Sequence, residues 1–428
     1  MSHAADFKRL VETGKGTPGG ELLRRYWQPV ALAKELGKRP LALKIMGEDL
    51  VLFRDNNGKL GLVGRHCPHR SVDLAYGRIE DGGLRCLYHG WLMDHRGRCL
   101  DQPAEPVEST YKDEIRHIAY PCREAAGTIF AYLGPGEAPL FPNFHFLNAP
   151  DTQVHQTKLH HSCNYLQANE GNFDPAHLSF LHSFHKPLTD RQKEAQKLQG
   201  VLIRNTRPRI SIARTRYGFR IFATRAAEAG KNYMRITNFV FPNLGFFAGD
   251  GGQRGPGGYA VHWHVPINDE SHWRYDFYYH RAENLDKAAM DAKHAEEADE
   301  HYMPRRGPTN HYLQDADEME SFSFAGMGTN FSGHDLFAVQ SPGAIHDRSR
   351  EHLASSDVGV VAMRRMMLDA IAEVERGNEP PLVLRSANEN VFNDIIVLGA
   401  LLDESQDQNA YCEEIVRSGD YHALQLSR

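Results

Sequence analysis

The sequence predicts a small all-β domain followed by a larger α+β domain. Three observations carry this expectation. Short alternating apolar runs with turn signals between them fill the first third of the chain. A stretch rich in Pro and Asn at 138–150 interrupts them. Beyond it, long strand-like runs are flanked by helical segments. The length of 428 residues agrees with two or three domains.

The elements follow in order. Residues 19–27 read as a short amphipathic helix that stops before Pro29. Runs of β character at 41–45, 49–54 and 60–63 are punctuated by Gly47-Glu48 and Asn56-Asn57-Gly58. The β pattern continues to 128–133 and ends at Gly134-Pro135-Gly136. This divides the chain into a helical arm at 1–28, a β domain at 29–140 and a second domain at 141–428. In the second domain, 163–185 has a helical composition. Antiparallel strands are expected at 209–214, 219–224, 233–240, 258–265 and 272–279. A helix over 284–302 opens on an Asn cap, and one over 356–376 opens on Ser-Asp and ends at Gly377.

Composition excludes several classes. Apolar residues make up 41% and charged residues 24%, as in a folded protein rather than a disordered one. The net charge, 49 − 55 = −6, offers no positive field for nucleic acid. No run reaches the roughly eighteen apolar residues of a membrane span, and the start lacks the apolar run of a signal peptide. A cytoplasmic protein is expected, with six Cys as reduced thiols or metal ligands rather than disulfides. The 24 His against those six Cys make metal or proton chemistry the first question.

Two loops answer part of it: Cys67-Pro68-His69, then sixteen residues, then Cys86-Leu87-Tyr88-His89-Gly90-Trp91. Zinc fingers pair Cys with Cys and His with His on separate elements. Here each loop offers one thiolate and one imidazole within a β-rich domain. That suits a Rieske [2Fe–2S] cluster, with Cys67 and Cys86 on one iron and His69 and His89 on the other. Gly90 lets the backbone approach the cluster. The remaining cysteines, Cys99, Cys122, Cys163 and Cys412, are isolated and expected to be buried as small apolar residues.

A second motif lies at 169–182, Asn-Glu-Gly-Asn-Phe-Asp-Pro-Ala-His-Leu-Ser-Phe-Leu-His. With the two loops it makes the chain resemble the Rieske non-haem iron oxygenases over nearly its whole length. The resemblance implies a C-terminal iron domain of helix-grip fold. It also implies that His177 and His182 ligate a mononuclear Fe(II), and that Asp174 bridges towards the Rieske histidine of a neighbouring subunit. Two imidazoles and one carboxylate on one face of Fe(II) leave positions open for O₂ and substrate. Five residues advance about 500° on an ideal helix, which leaves His177 and His182 about 140° apart. A straight helix therefore cannot aim both at one metal. Either a π-bulge intervenes or the helix ends before His182, and Asp174-Pro175 favours a break or restart. Asp174 also has a plain reading as an N-cap. His155, His160, His161 and His185 are expected to hydrogen-bond near the iron rather than ligate it.

The third ligand is an acid farther along. The segments His334-Asp335-Leu336-Phe337-Ala338-Val339-Gln340 and Ile345-His346-Asp347-Arg348-Ser349-Arg350-Glu351-His352-Leu353 are similar to the phthalate-dioxygenase-like subgroup. The resemblance implies Asp335 as the ligand, ahead of Glu318, Asp347 and Asp394. Asp347 is expected to pair with Arg348 or Arg350. Between the two segments stands Ser341-Pro342 where the subgroup usually carries Glu-Ser-Met, so that loop differs.

Further implications concern reaction and partners. Substrate, O₂ and two electrons would give a hydroxylated, O-demethylated or cis-dihydroxylated aromatic product. Neither a dinucleotide-binding glycine motif nor a plant-type ferredoxin pattern is present. A separate NAD(P)H-dependent flavin and iron–sulfur reductase is therefore expected. A head-to-tail homotrimer, single or stacked in pairs, would bring His89 or His69 of one chain to Asp174 of the next. The subgroup mostly handles aromatic acids, so a cation for the carboxylate is sought among Arg204, Arg207, Arg209, Arg214, Arg216 and Arg220. Arg207 and Arg209 share a face if the strand includes both. Phe239, Phe241, Phe246, Phe247 and Trp263 are expected in the core or along an apolar pocket. The rival reading is a non-catalytic Rieske electron carrier or ligand-binding protein, which would not need His177, His182 and Asp335 together.

Overall fold

The computed structural model describes residues 3–185, 201, 205–227, 230–248 and 257–419. Among these, a β-rich N-terminal third is followed by one large antiparallel sheet with helices on both faces, Gln408–Ser418 on one and the helices of the site on the other. Three small sheets build the first third. Trp27–Leu32 pairs with Thr128–Tyr132, which pairs in turn with Cys122–Ala125. Leu41–Ile45, Glu48–Arg54, Leu60–Gly64 and Ala119–Tyr120 form the second sheet. Arg78–Glu80, Gly83–Arg85, Leu92–Met93 and Cys99–Asp101 form the third.

The large sheet has eight strands. Its order runs Val154–His161, Ser271–His280, Gly258–Asn268, Leu244–Ala248, Lys231–Val240, Gly218–Ala226, Arg209–Thr215. The eighth strand, Gly399–Asp403, pairs with the first half of Lys231–Val240, while the short Leu244–Ala248 takes the second half.

Strand alternation sorts this sheet into two unlike faces. One carries Trp263, Phe277 and Phe246, which pack on Phe130 and Phe146 from the N-terminal side. Polar contacts cross the same junction. Gln28 accepts from Trp263 Nε1 at 3.0 Å and from Asn243 Nδ2 at 3.1 Å. The other face carries His262, His264, His272, Arg274 and Asp276, in register across the neighbouring strands Gly258–Asn268 and Ser271–His280. The helices that hold the site cover this face, so the sequence His-Trp-His-Val at 262–265 reads alternately towards the site and towards the core.

Several expectations change at this level. The helix predicted at 19–27 is Pro18–Leu23, capped by Thr17, and a strand already begins at Trp27 and runs through Pro29. The helix predicted at 284–302 is Lys287–Glu297, and its cap is Asp286 rather than Asn284 because Asp286 accepts the Ala289 N–H. The predicted 356–376 helix is Val358–Glu375, with Gly377 at φ +80° just beyond it. Residues 163–185 are not one helix: Tyr165–Asn172 is followed by a single 3₁₀ turn, His177–Ser179. Cys99, Cys163 and Cys412 are buried as expected, and Cys122 is only partly so.

The N-terminal helix His3–Val11 docks on the second domain. Asn164 Nδ2 and Tyr165 Oη donate to the carbonyls of Val11 and Leu10, at 2.9 Å each. Phe7 lies under the guanidiniums of Arg348 and Arg364.

Candidate metal centres

The first centre is made by two facing loops. Cys67 follows the strand Leu60–Gly64, and its loop is closed by Cys67 N–H to Val72 O (2.9 Å) and Ser71 N–H to Cys67 O (2.8 Å). Cys86 follows Gly83–Arg85, and its loop is closed by Cys86 N–H to Trp91 O (2.9 Å) and Gly90 N–H to Cys86 O (3.1 Å). Gly90 sits at φ +76°, and a Cβ there would come within 2.7 Å of Pro103, so both backbone and space require glycine.

Ion pairs brace each loop. Arg65 grips Asp73 through Nε (2.9 Å) and Nη2 (2.7 Å). Arg85 binds Glu80 and Asp101, at 2.8 Å each, and donates to the Gly90 carbonyl. Both thiols are buried, His69 is exposed and His89 lies half-buried. The imidazole rings approach to 4.6 Å, and His69 stacks on Trp91 at 4.5 Å and 7°. Burial pushes the Cys67 thiol up to about 11, against the backbone N–H groups of His69 and Arg70 that point at its sulfur. Two sulfurs inside and two imidazoles outside fit a His-ligated [2Fe–2S] cluster.

The second centre lies where the Tyr165–Asn172 helix gives out. Phe173 caps its end, and Asp174 Oδ1 accepts the Ala176 N–H at 2.7 Å, turning the chain into the 3₁₀ turn that starts at His177. Thus the helix ends before both histidines, which removes the 140° conflict of a straight helix. From across the site comes Asp335, on the helix Phe331–Gln340, whose cap Asn330 accepts the Gly333 N–H. The ligand atoms of His177, His182 and Asp335 all lie within 4.8 Å of one another. Asp335 Oδ1 is 3.0 Å from His182 Nε2 and 3.9 Å from His177 Nε2.

Both rings are held from behind through Nδ1. Asp174 Oδ2 is 3.5 Å from His177 Nδ1. His334 Nδ1 is 3.2 Å from His182 Nδ1, and His334 Nε2 is 3.1 Å from the Gly328 carbonyl. Burial works to raise the Asp335 carboxyl, but His182, His177 and Arg274 outweigh it and hold it well below the usual carboxylate range. Burial also pushes His334 down to about 4, so that ring is neutral. A deprotonated carboxylate and two imidazoles presenting Nε2 make a fitting donor set for Fe(II) with open positions.

The other sequence candidates sit elsewhere. His155 pairs with Asp291 (2.9 Å), His160 packs edge-on to Trp273, His161 lies beside His272, and His185 bonds the Met319 carbonyl. Among the alternative acids, Glu318 accepts from Ser323 Oγ and Gly328 N–H at 2.7 Å each, and Asp394 meets Arg216 at 3.2 Å. Asp347 forms no ion pair with Arg348 or Arg350; it caps the Ser349 N–H. Arg348 instead pairs with Glu170 (2.8 Å), because it is buried and needs a buried partner.

The arginines proposed for a carboxylate fare unevenly. Arg207 lies before the edge strand Arg209–Thr215, and both Arg207 and Arg209 are exposed, as on a solvated strand face. Arg214 is exposed, Arg216 and Arg220 bond the 389–394 loop, and Arg204 lies outside the described residues. Sequence reasoning missed Arg225 and Arg235, which are buried on neighbouring strands and point to one sheet face. Arg225 Nη2 donates to the Pro175 carbonyl (3.0 Å) and to Ser179 Oγ (3.3 Å), and Arg235 acts electrostatically on His177. An arginine within a largely apolar strand was the available signal in each case.

Comparisons with known proteins show the family of the chain. The Rieske [2Fe-2S] domain model matches residues 26–112, and the "LigXa C-terminal domain like" model matches 131–425. The phthalate 4,5-dioxygenase oxygenase subunit of Pseudomonas putida is 35% identical over 84% of this chain and 84% of its own. The 5,5'-dehydrodivanillate O-demethylase oxygenase subunit of a Sphingobium species is 31% identical over 99% and 92%. Dicamba monooxygenase bound to dicamba superposes with a TM-score of 0.57 at 17% identity, over 83% of this chain and 99% of its own. The terminal oxygenase of carbazole 1,9a-dioxygenase from Novosphingobium superposes with 0.56 at 18%, over 85% and 97%.

The fold and its two centres thus define an iron-dependent redox enzyme. The chain belongs to the Rieske non-haem iron oxygenases, as an oxygenase component that uses a [2Fe–2S] cluster, a mononuclear iron and O₂. Among the described residues, no helix is long and apolar enough to cross a membrane.

Proposed function

We propose that this oxygenase component hydroxylates, dihydroxylates or O-demethylates a small carboxylated aromatic compound, fed by a separate NAD(P)H-dependent reductase carrying flavin and an iron–sulfur centre. The observation that carries the reading is the convergence of His177, His182 and Asp335 in a chain that also holds the Cys67, His69, Cys86 and His89 loops. An electron carrier would have no use for the second set. When bound, the cluster supplies electrons and the mononuclear iron supplies reductive activation of O₂.

The chain's own residues do the rest. Asp174 Oδ2 faces His177 Nδ1 at 3.5 Å and so favours the ring orientation with Nε2 towards Asp335. Asp174 remains about a quarter exposed, which leaves it within reach of a second chain. We assign it the bridge to His89 or His69 of a neighbour in a head-to-tail homotrimer, located in the cytoplasm. The exposed Leu87 and Tyr88 beside His89 give that neighbour an apolar surface to meet.

For the substrate, the supporting feature is the buried arginine pair. Burial and then the charge of Arg235 push Arg225 down to about 10. Its Nη1 is buried with no hydrogen-bond partner among the described residues. A substrate carboxylate would relieve both conditions. Substrates from this class are named for several relatives, including phthalate and 3-chlorobenzoate.

The test is turnover with a surrogate reductase over benzoates, phthalates, methoxybenzoates and their uncharged methyl-ester and anisole analogues under ¹⁸O₂, read by mass spectrometry. Oxidised product from a carboxylated substrate is expected, with the label in new ring hydroxyls for hydroxylation or dihydroxylation and in the released formaldehyde for O-demethylation. Labelled product only from uncharged substrates would overturn the carboxylate assignment.

A further inference from the structure

We propose that His334 is a positioning residue that fixes the ring tautomer of His182, serving that ligand as Asp174 serves His177. The inference rests on the reading of His177, His182 and Asp335 as an iron site and goes beyond it.

A peptide carbonyl only accepts, so the 3.1 Å contact of His334 Nε2 with the Gly328 carbonyl places a hydrogen on Nε2. With its ring hydrogen placed on Nε2, His334 offers the Nδ1 lone pair as an acceptor. It faces His182 Nδ1 at 3.2 Å, so His182 must donate from Nδ1. That leaves the lone pair of His182 on Nε2, the nitrogen 3.0 Å from Asp335 Oδ1. Ring geometry suits such a bond. The two rings lie within 17° of coplanar with centroids 5.3 Å apart, an edge-to-edge placement that keeps N–H and lone pair in one plane.

The chain behind His334 is anchored as well. Glu318 Oε1 accepts the Gly328 N–H at 2.7 Å, which pins the peptide segment whose carbonyl holds His334. His334 and His182 are both buried, so water does not compete for these bonds. The result is an asymmetric pair of supports: a carboxylate behind His177 and a neutral imidazole behind His182. A single helix, Phe331–Gln340, then supplies both a metal ligand, Asp335, and the support of another, through adjacent residues.

The test measures Co(II) affinity of the mononuclear site by chelator competition in protein that retains its reduced-cluster EPR signal. His334→Phe keeps a ring of similar shape without the acceptor. His334→Asn keeps an acceptor oxygen where Nδ1 stands. The expected result is a loss of ~10–100-fold for His334→Phe, with His334→Asn recovering most of it. His334→Met replaces the Phe variant if that one loses its cluster signal. Unchanged affinity in the apolar variant, or an Asn variant no better than it, overturns the proposal. His182→Ala separates the two claims. If it binds Co(II) as tightly as the wild type, the iron-site reading itself fails.

Discussion

Two residues separate Asp174 from His177, and that spacing gives the acid two tasks at once. Its Oδ1 caps the Ala176 N–H, while Oδ2 faces His177 Nδ1. The plain capping reading and the functional one are therefore compatible. Replacing Asp174 with Asn keeps the cap and, by this account, both metals. It should slow oxidation of a pre-reduced cluster in single-turnover kinetics, and an unchanged rate would remove the bridge. His177→Ala should leave the reduced-cluster EPR spectrum intact while abolishing turnover and mononuclear iron. At this scale, residues that belong to local motifs were legible. The cluster loops are read from spacing within each loop, and His177 and His182 from one short segment. His334, Arg225 and Arg235 were not, because each acquires its meaning from a partner far along the chain.

The helix that leads into the histidines is held by a buried ionic network. Glu170, on the helix Tyr165–Asn172, accepts from Arg348 through Nε (2.9 Å) and Nη2 (2.8 Å) and from Arg364 Nε (2.6 Å). Arg364 in turn grips Glu351 with two bonds of 2.7 Å. The Asp-Arg-Ser-x-Glu segment thus serves as a clamp on the helix whose end forms the iron site. Glu170→Gln leaves two buried guanidiniums short of one charge and should cost about 3–5 kcal/mol, measured as a lowered denaturant midpoint. A change within error would show the network to be dispensable. A helix with a clear stop signal was legible at this scale, as at Val358–Glu375 with Gly377 just beyond it. The break after Asn172 was foreseeable from Asp174-Pro175 together with the geometry of a straight helix. The strand Gly399–Asp403 was not, since its only warrant is an open edge left by a short hairpin strand.

Across the whole molecule, the two halves share one core. Phe130, Phe146, Trp263 and Phe277 meet at the junction, and Lys158 reaches Glu35 at 2.7 Å within a cage of Trp273, Tyr275 and Tyr302. Trp263→Ala should therefore destabilise the entire chain, by about 3–5 kcal/mol, in a single transition followed by both far-UV circular dichroism and cluster absorbance. Two separated transitions would show domains that fold independently. The order of the architecture was legible from composition and turn signals, but its assembly through one face of the large sheet was not. Sequence alternation reveals two faces without saying what covers each.

The central claim is that one chain holds both an electron-storing cluster and a separate O₂-activating iron. Iron and acid-labile sulfide per purified chain test it most directly. The account predicts about three irons and two sulfides, falling to about two irons with unchanged sulfide in His182→Ala. Two irons in the wild type after anaerobic Fe(II) reconstitution, with no change on substitution, would contradict it.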